Sequence, residues 1–475
     1  MVFTSMYKKY CNPQAVLKSF VFLLLLFFTI SCASYYQRNL EFQEKFEKGE
    51  ITSALEVHQK NKKAKRKRVK LLYYLNSGML YHLKGEYSKS VEYFTKADYF
   101  AEDFRRNWRA EILASVSNPT VKPYPGEDYE IVLIHYYNAL NFLHLNNHEA
   151  ALIEARRMNL KLLELQDTYS REMVYKRDAF GHNLMGIIYD AAGEYNDAFI
   201  AYRNAYNIYS EDYTNFYGLS APKQLKKDLL RAAHRSGFRE DYNFYSNQFN
   251  MKYERPTDGG ELVVFWDNGL GPVKDEWSIN FTVMRGQGGY VTFVNEEFNL
   301  SFPFYVGDSK REAELTDLQF VRVAFPKLKS RPSTFSRGVI RSGNQSYELE
   351  LAQNIDAIAE KSLNDRFLRE MGSALLRLAL KQITEIAARE VNPGLGLAVS
   401  IANAVTEKAD TRNWQTLPAK IHYTRISLPE GEQTLSFETH IDRQVNSRPI
   451  KVNIRNNRTT FYSHRTFLPR HSLSN

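Results

Sequence analysis

The sequence predicts an α+β chain of more than one domain: an N-terminal all-α array of helical hairpins, then a β-rich domain with an inserted helical hairpin. Three observations predict it. Residues 71–97 and 179–205 repeat the same small and aromatic positions, the helical period stops near Pro256, and short alternating or β-branched runs between turn residues follow. Hydrophobic content of 43% with 14% aromatics is ample for the cores that such a chain must build.

The first element, residues 1–31, reads as a leader. Lys8, Lys9 and Lys18 form a basic start without an acid, Phe20 to Ile30 (FVFLLLLFFTI) is an apolar run, and Ser31 precedes Cys32. The run is too short for a membrane-spanning helix, which needs roughly 20 apolar residues. Thr29-Ile30-Ser31-Cys32 resembles the lipobox of bacterial lipoproteins, with Thr29 standing where Leu is usual. That resemblance implies cleavage before Cys32 and acylation of its thiol. The chain has two cysteines, and Cys11 would leave with the leader. The mature chain then has no disulfide, no cysteine metal site and no free thiol for catalysis. Ala33 stands where an inner-membrane retention Asp would be expected, which favours the outer membrane, facing the periplasm. Several acyl chains on one cysteine make a durable anchor, whereas one binds marginally.

The net charge of +9 is local. Without the three leader lysines, 60 basic residues stand against 54 acidic ones, and seven of the 60 lie between Lys62 and Lys70 (KKAKRKRVK). Such a run binds nucleic acid or anionic surfaces. In an exported chain nucleic acid is excluded as a partner, and anionic lipid at Lys62 to Lys70 is the expectation; a solvated helix face is the plain alternative.

The domain expected over residues 32–255 opens with a capping helix in Leu40–Leu55. Aligned from Leu71 and Ala179, Gly78 matches Gly186, Tyr81 matches Tyr189, and Gly85-Glu86-Tyr87 matches Gly193-Glu194-Tyr195. Ser90, Phe94 and Ala97 likewise match Ala198, Tyr202 and Ala205. These positions resemble the tetratricopeptide repeat, in which small residues let two helices approach and aromatics fill between them. A weaker unit begins near Val132, with Ala139, Phe142, Ala151 and Ala155 in register but no turn glycine. The units start 61 and 47 residues apart, wider than the roughly 34 of a tandem array, so inserts are required. Ser117–Asp128 (SNPTVKPYPGED) is one, since its three prolines break helices. Pro222–Phe249 is expected to cap the far end.

The repeat resemblance implies a concave groove lined by Leu72, Leu75, Met79 and His82, then Leu133, Tyr136, Leu140 and Leu143, then Phe180, Asn183, Ile187 and Asp190. Its apolar character suits a partner helix or an extended peptide, or cover from another part of this chain. Leu72, Leu75, Met79, Tyr136, Leu140, Asn183, Ile187 and Asp190 are the candidate partner-binding residues.

The second domain, residues 256–475, begins after Pro256-Thr257-Asp258-Gly259-Gly260. Strands are expected at Glu261–Trp266, Tyr290–Val294, Phe298–Phe302 and Phe320–Phe325. Ile421–Leu428 and Thr434–Ile441 should form a hairpin about Pro429-Glu430-Gly431, with Pro449–Ile454 following. A helical insertion over 354–410 comprises a first helix with Leu368, Met371, Leu375 and Leu378 on one face. Its second arm, Gly394 to Val405, is apolar all round and reads as a buried hairpin arm, or as one dipping into a leaflet.

Asp258–Gly269 (DGGELVVFWDNG), Pro272-Val273-Lys274 and Ala409–Pro418 (ADTRNWQTLP), taken with the repeats and the lipobox, resemble a family of bacterial outer-membrane lipoproteins with N-terminal tetratricopeptide-like repeats. The resemblance implies an envelope location and brings no activity. Asp410, Arg412 and Trp414 are its candidate site, and an Arg packed on the indole is the structural alternative.

Catalytic motifs are missing from the sequence. There is no G-x-S-x-G and no phosphate-binding G-x-x-x-x-G-K-[ST], His148-Glu149 lacks a second histidine, Gly394-Leu395-Gly396 lacks a third glycine, and His182 falls inside a repeat helix. The expectation is a non-enzymatic envelope lipoprotein without cofactor or metal, a scaffold or adaptor for protein–protein contacts with an envelope partner. The alternatives are an activator of peptidoglycan synthesis, or a cell-wall-acting hydrolase or ligand-binding module in the C-terminal domain.

Overall fold

A computed structural model describes residues 33–114, 119–168, 175, 177–254, 258–307, 315, 320–331, 335–391 and 409–467. The leader, Cys32 and Gly394–Val405 lie outside them.

Five helical hairpins fill the first half: α1 (Leu40–Glu47) with α2 (Ile51–Lys60), α3 (Lys70–Leu83) with α4 (Tyr87–Ala114), and α5 (Asp128–His144) with α6 (His148–Thr168). Then come α7 (Ala179–Ala192) with α8 (Tyr195–Ile208), and α9 (Lys223–Arg235) with α10 (Arg239–Phe249). Close approach explains the repeated small residues. A Cβ at Gly78 would lie 2.7 Å from the Phe94 ring, and one at Gly186 would overlap Tyr202. The turns are left-handed at Gly85 (φ 77°) and Gly193 (φ 84°). In the middle hairpin Asn146 takes that conformation instead, at φ 55°, since Asn is the side chain that tolerates it best. This residue answers for the missing turn glycine.

The second half holds three four-stranded sheets among the described residues: β12-β1-β9-β8, β11-β10-β6-β7 and β4-β3-β2-β5. Their strands are β1 (Gly260–Asn268), β2 (Val273–Arg285), β3 (Tyr290–Asn295), β4 (Leu300–Tyr305), β5 (Phe320–Lys329) and β6 (Arg337–Ser342). β7 (Gln345–Glu348), β8 (Glu350–Asn354), β9 (Lys420–Leu428), β10 (Gly431–Ile441), β11 (Gln444–Ile454) and β12 (Thr459–Thr466) complete them.

The first sheet lies between the helical array and the second sheet. Val263, Phe265, Ile421 and Tyr423 join the core of the array, while Leu262, Val264, Trp266, Ile426 and Leu428 pack with Ile340, Leu435, Phe437 and Ile450. Burial on both faces is why the centre of β1, Leu262–Trp266, reads as an unbroken apolar run instead of an alternating one. The third sheet packs on α11 (Ile355–Val391) through Phe281, Val283, Phe293, Val323, Met371 and Leu375.

Two expectations change. Pro429-Glu430-Gly431 does not close a hairpin: both edges of β9 are taken, by β1 and β8, so the turn carries the chain across to the second sheet, where β10 pairs with β6 and β11. The halves are also continuous in packing, because one core takes side chains from α3 to α9 and from β1, β9 and the segment after Ala409. The insertion begins as one continuous 37-residue helix, α11; its expected second arm is outside the described residues.

Candidate functional site

The groove positions are all occupied by the chain itself. Leu72, Leu75, Met79, Tyr136, Leu140, Asn183, Ile187 and Asp190 are each buried. The Tyr136 ring meets Phe265 at 6.1 Å, and neighbouring Tyr137 donates its hydroxyl to Asp267 at 2.8 Å. Tyr423 donates to Asn183 at 3.4 Å. Asp190 faces Arg231 at 2.9 Å and Arg425 at 3.3 Å, and Arg425 also pairs with Asp228 and Glu261. The open partner groove inferred from the repeats is therefore corrected. Its apolar helix faces share one core with β1, β9 and the Trp414 segment, with an ionic cluster fixing register at the α9 end. A charge in so buried a cluster is tolerated only when paired.

The second candidate, Asp410, Arg412 and Trp414, splits in two. Trp414 turns into the core, its ring 5.7 Å from Phe94 and 5.9 Å from Tyr137, with its indole N–H on Thr416. Asp410 and Arg412 come together as a bidentate pair at 2.8 and 2.6 Å. The guanidinium stacks on Tyr124, with 5.4 Å to the ring centre, and not on the indole. It also donates to the carbonyls of Arg68 and Lys122, both at 2.7 Å. Burial alone would raise the Asp410 carboxyl, but the adjacent Arg412 outweighs it and holds it below its usual range.

The rest of that motif is a polar seam. Thr411 accepts from the Tyr35 N–H at 2.8 Å, Asn413 donates to the Pro272 carbonyl at 2.8 Å, and Gln415 accepts from Gln43 at 2.7 Å. Thr416 donates to Asn76 at 3.0 Å. The Trp414 N–H donates to Glu130 at 2.6 Å. Burial, and the negative charge of Glu127, push the Glu130 carboxyl up. Glu127 itself stays low because Arg366 and Lys274 together outweigh its burial. Thr411, Arg412, Trp414, Gln415 and Thr416 thus bond to the helical half, while Ala409 and Asn413 bond to the β half, so the motif ties the two together.

Outside this seam lies an open cleft of about 790 Å³ that sequence reasoning did not assemble. It is lined by Ala33, Tyr35 and Arg38, by Lys60 and its neighbours up to Ala64, and by Asp410 and Arg412. Of the basic run, Lys62, Lys63, Arg66 and Arg68 line it. Lys65 and Lys70 leave it to stand over the rings of Tyr73 and Tyr74. The signal available in sequence was the run itself. What it lacked was the fold that brings Arg38 and Arg412 beside it.

Among the described residues no group of three or more His, Cys, Asp or Glu side chains could hold a metal ion, and no helix is long and apolar enough to cross a membrane.

No family model matches the chain, and no curated protein matches it. Solved structures do. MamA is 16% identical, covering 44% of this chain and 91% of its own, with a TM-score of 0.28. The apo form of RapI is 16% identical over 50% of this chain and 57% of its own, at 0.33. A tetratricopeptide repeat protein from Parabacteroides merdae is 13% identical over 46% and 80%, at 0.20. These likenesses are local and low-scoring, so the repeat assignment rests on the helix pairing itself.

Proposed function

We propose that this chain is an envelope lipoprotein, anchored in the outer membrane through acyl chains on Cys32 and facing the periplasm, where it serves as a non-catalytic scaffold for an envelope protein partner. The observation that carries the scaffold reading is the run of five helical hairpins, an architecture that stacks surface for macromolecular contact. Since β1 and β9 cover the concave side, partner contacts belong to the outer surfaces of the helices and sheets. The anchor reading is supported by the leader ending at Ser31-Cys32, and by the exposure of the adjacent Ala33, which lines a cationic cleft.

Two measurements test this. Labelled palmitate fed to expressing cells should enter the wild-type chain and not Cys32→Ala; label in the variant would remove the anchor. Purified chain incubated with peptidoglycan should release no soluble fragments. Release that Asp410→Ala abolishes would replace the scaffold by a hydrolase.

A further inference from the structure

We infer that the cleft beside Ala33 is a binding site for the phosphate-bearing headgroup of an anionic phospholipid. The inference rests on the anchor reading for the source of the ligand, and on the structure for the site. Arg38, Lys62, Lys63, Arg66 and Arg68 line the cleft, and none of them has an ion pair with a carboxylate of the described residues. The acidic lining is already engaged: Asp410 by Arg412, and Glu276 by the Ala409 N–H at 3.0 Å. Excess positive charge at one concave place, on a chain otherwise close to neutral, is what a phosphate-bearing ligand neutralises.

The backbone that carries these cations is fixed. The Asn61 side chain accepts from the N–H groups of Lys63 and Ala64 at 3.0 and 3.3 Å, Ala64 is buried, and buried Arg412 grips the carbonyl of Arg68. Arg412 is thus a positioning residue, with its donors spent on building the cleft. Val69 and Val121 also line the site, and Val121 is 52% exposed. That apolar wall suits the glycerol and first methylenes of a lipid, and it has nothing to offer a free phosphate ion. The volume is within the ~300–1,000 Å³ usual for small-ligand sites. Finally, Cys32 is one peptide from Ala33, so its acyl chains would hold the cleft within about a Debye length, ~8 Å, of the headgroups. Such tethering raises the local headgroup concentration and turns modest affinity into occupancy.

The test uses the full chain in a neutral detergent, titrated calorimetrically with dihexanoylphosphatidylglycerol. Saturable binding at one lipid per chain is expected, weakened at least tenfold by high salt, with dihexanoylphosphatidylcholine binding far less. Lys62→Gln, Lys63→Gln and Arg66→Gln together should lower affinity on the order of 100-fold. The same number of charges removed outside the cleft, as Lys65→Gln, Lys67→Gln and Lys70→Gln, should lower it less than tenfold. Lys62, Lys63 and Arg66 are all exposed, so the melting temperature should stay within a degree of wild type.

Equal losses in the two triple variants would reduce the cleft to a diffuse charged surface and overturn the inference. Equal binding of the zwitterionic lipid would do the same, as would tighter binding of inorganic phosphate or of polyglutamate. Palmitate labelling separates this site from the anchor. Label at Cys32 without phosphatidylglycerol binding leaves the anchor and removes the site. Cleft-dependent binding without label keeps the site and removes the anchor.

Discussion

Asp356 shows how one side chain reports on folding. It lies in the first turn of α11, where one of its carboxylate oxygens is buried without a hydrogen-bond partner. Burial raises its pKa from 3.8 to about 7, against the pull of Arg331 and Lys420. A carboxyl with a raised folded pKa binds its proton more tightly in the native state, so native stability falls as pH rises from the unfolded to the folded value. Asp356→Asn has no such dependence. Its gain in melting temperature over wild type should grow between about pH 4 and pH 7 and level off above, as measured by thermal unfolding across that range. A gap that does not change with pH would show the carboxyl to be solvated. Arg412 acts at the same scale. Arg412→Ala strands the Asp410 carboxylate and frees two carbonyls, and the loss of one partner from a largely buried pair costs about 3 kcal/mol. Urea unfolding should register it.

At the scale of elements, Gly186 has no room for a side chain against Tyr202. Gly186→Leu must push α7 and α8 apart, an overpacking cost on the order of 1–3 kcal/mol, to be read as a lower melting temperature. Asn146→Gly, by contrast, keeps the left-handed turn available and should leave stability within about 0.5 kcal/mol. The small and aromatic positions of the hairpins were legible in sequence because close helix packing leaves a fixed spacing. The middle turn was hidden because Asn146 does a glycine's work. β1 announced its place by the apolar run Leu262–Trp266, yet its neighbours did not announce themselves, since strand pairing at long range leaves no local pattern. Pro429-Glu430-Gly431 has the composition of a hairpin turn, and only the occupied edges of β9 show why it becomes a crossover. The motif around Arg412 was visible as unusual, but its phenol partner, Tyr124, lies in the Pro-rich insert far upstream. The cleft was legible by one wall only, the basic run.

The whole molecule is one packed body in which neither half is finished alone. A fragment ending at residue 254 would lack Val263, Phe265, Trp414, Ile421 and Tyr423, which share one buried core with Leu72, Tyr136, Phe180 and Ile187 in the complete chain. Such a fragment should bind an apolar dye and unfold without a sharp transition, whereas the complete chain should melt cooperatively. Acid acts on the complete body too. Burial lowers His58, His82, His182 and His422 to about 4 each. For a base with a depressed folded pKa the unfolded chain takes up protons first, so stability is full above about pH 6.5 and is lost as pH falls toward the folded values. Each histidine contributes a slope of about 1 kcal/mol per pH unit in that window. Denaturant midpoints measured between pH 7 and pH 5 should fall accordingly, and replacing His58 by Gln should flatten the decline.

The pairing of β1 with β12 also sets an order of events in time. Synthesis runs from the N-terminus, and Trp266 finds its partner Thr466 only after another 200 residues have been made. The Trp414 N–H reaches Glu130 across 284 residues. Throughout that interval the hairpins exist with their concave side bare, a sticky half-product whose cover has yet to arrive. Contacts so distant along the chain close slowly, and exposed apolar surface invites association with neighbours in the meantime. Until the last strand is in place, the hairpins and the first strands share that exposure.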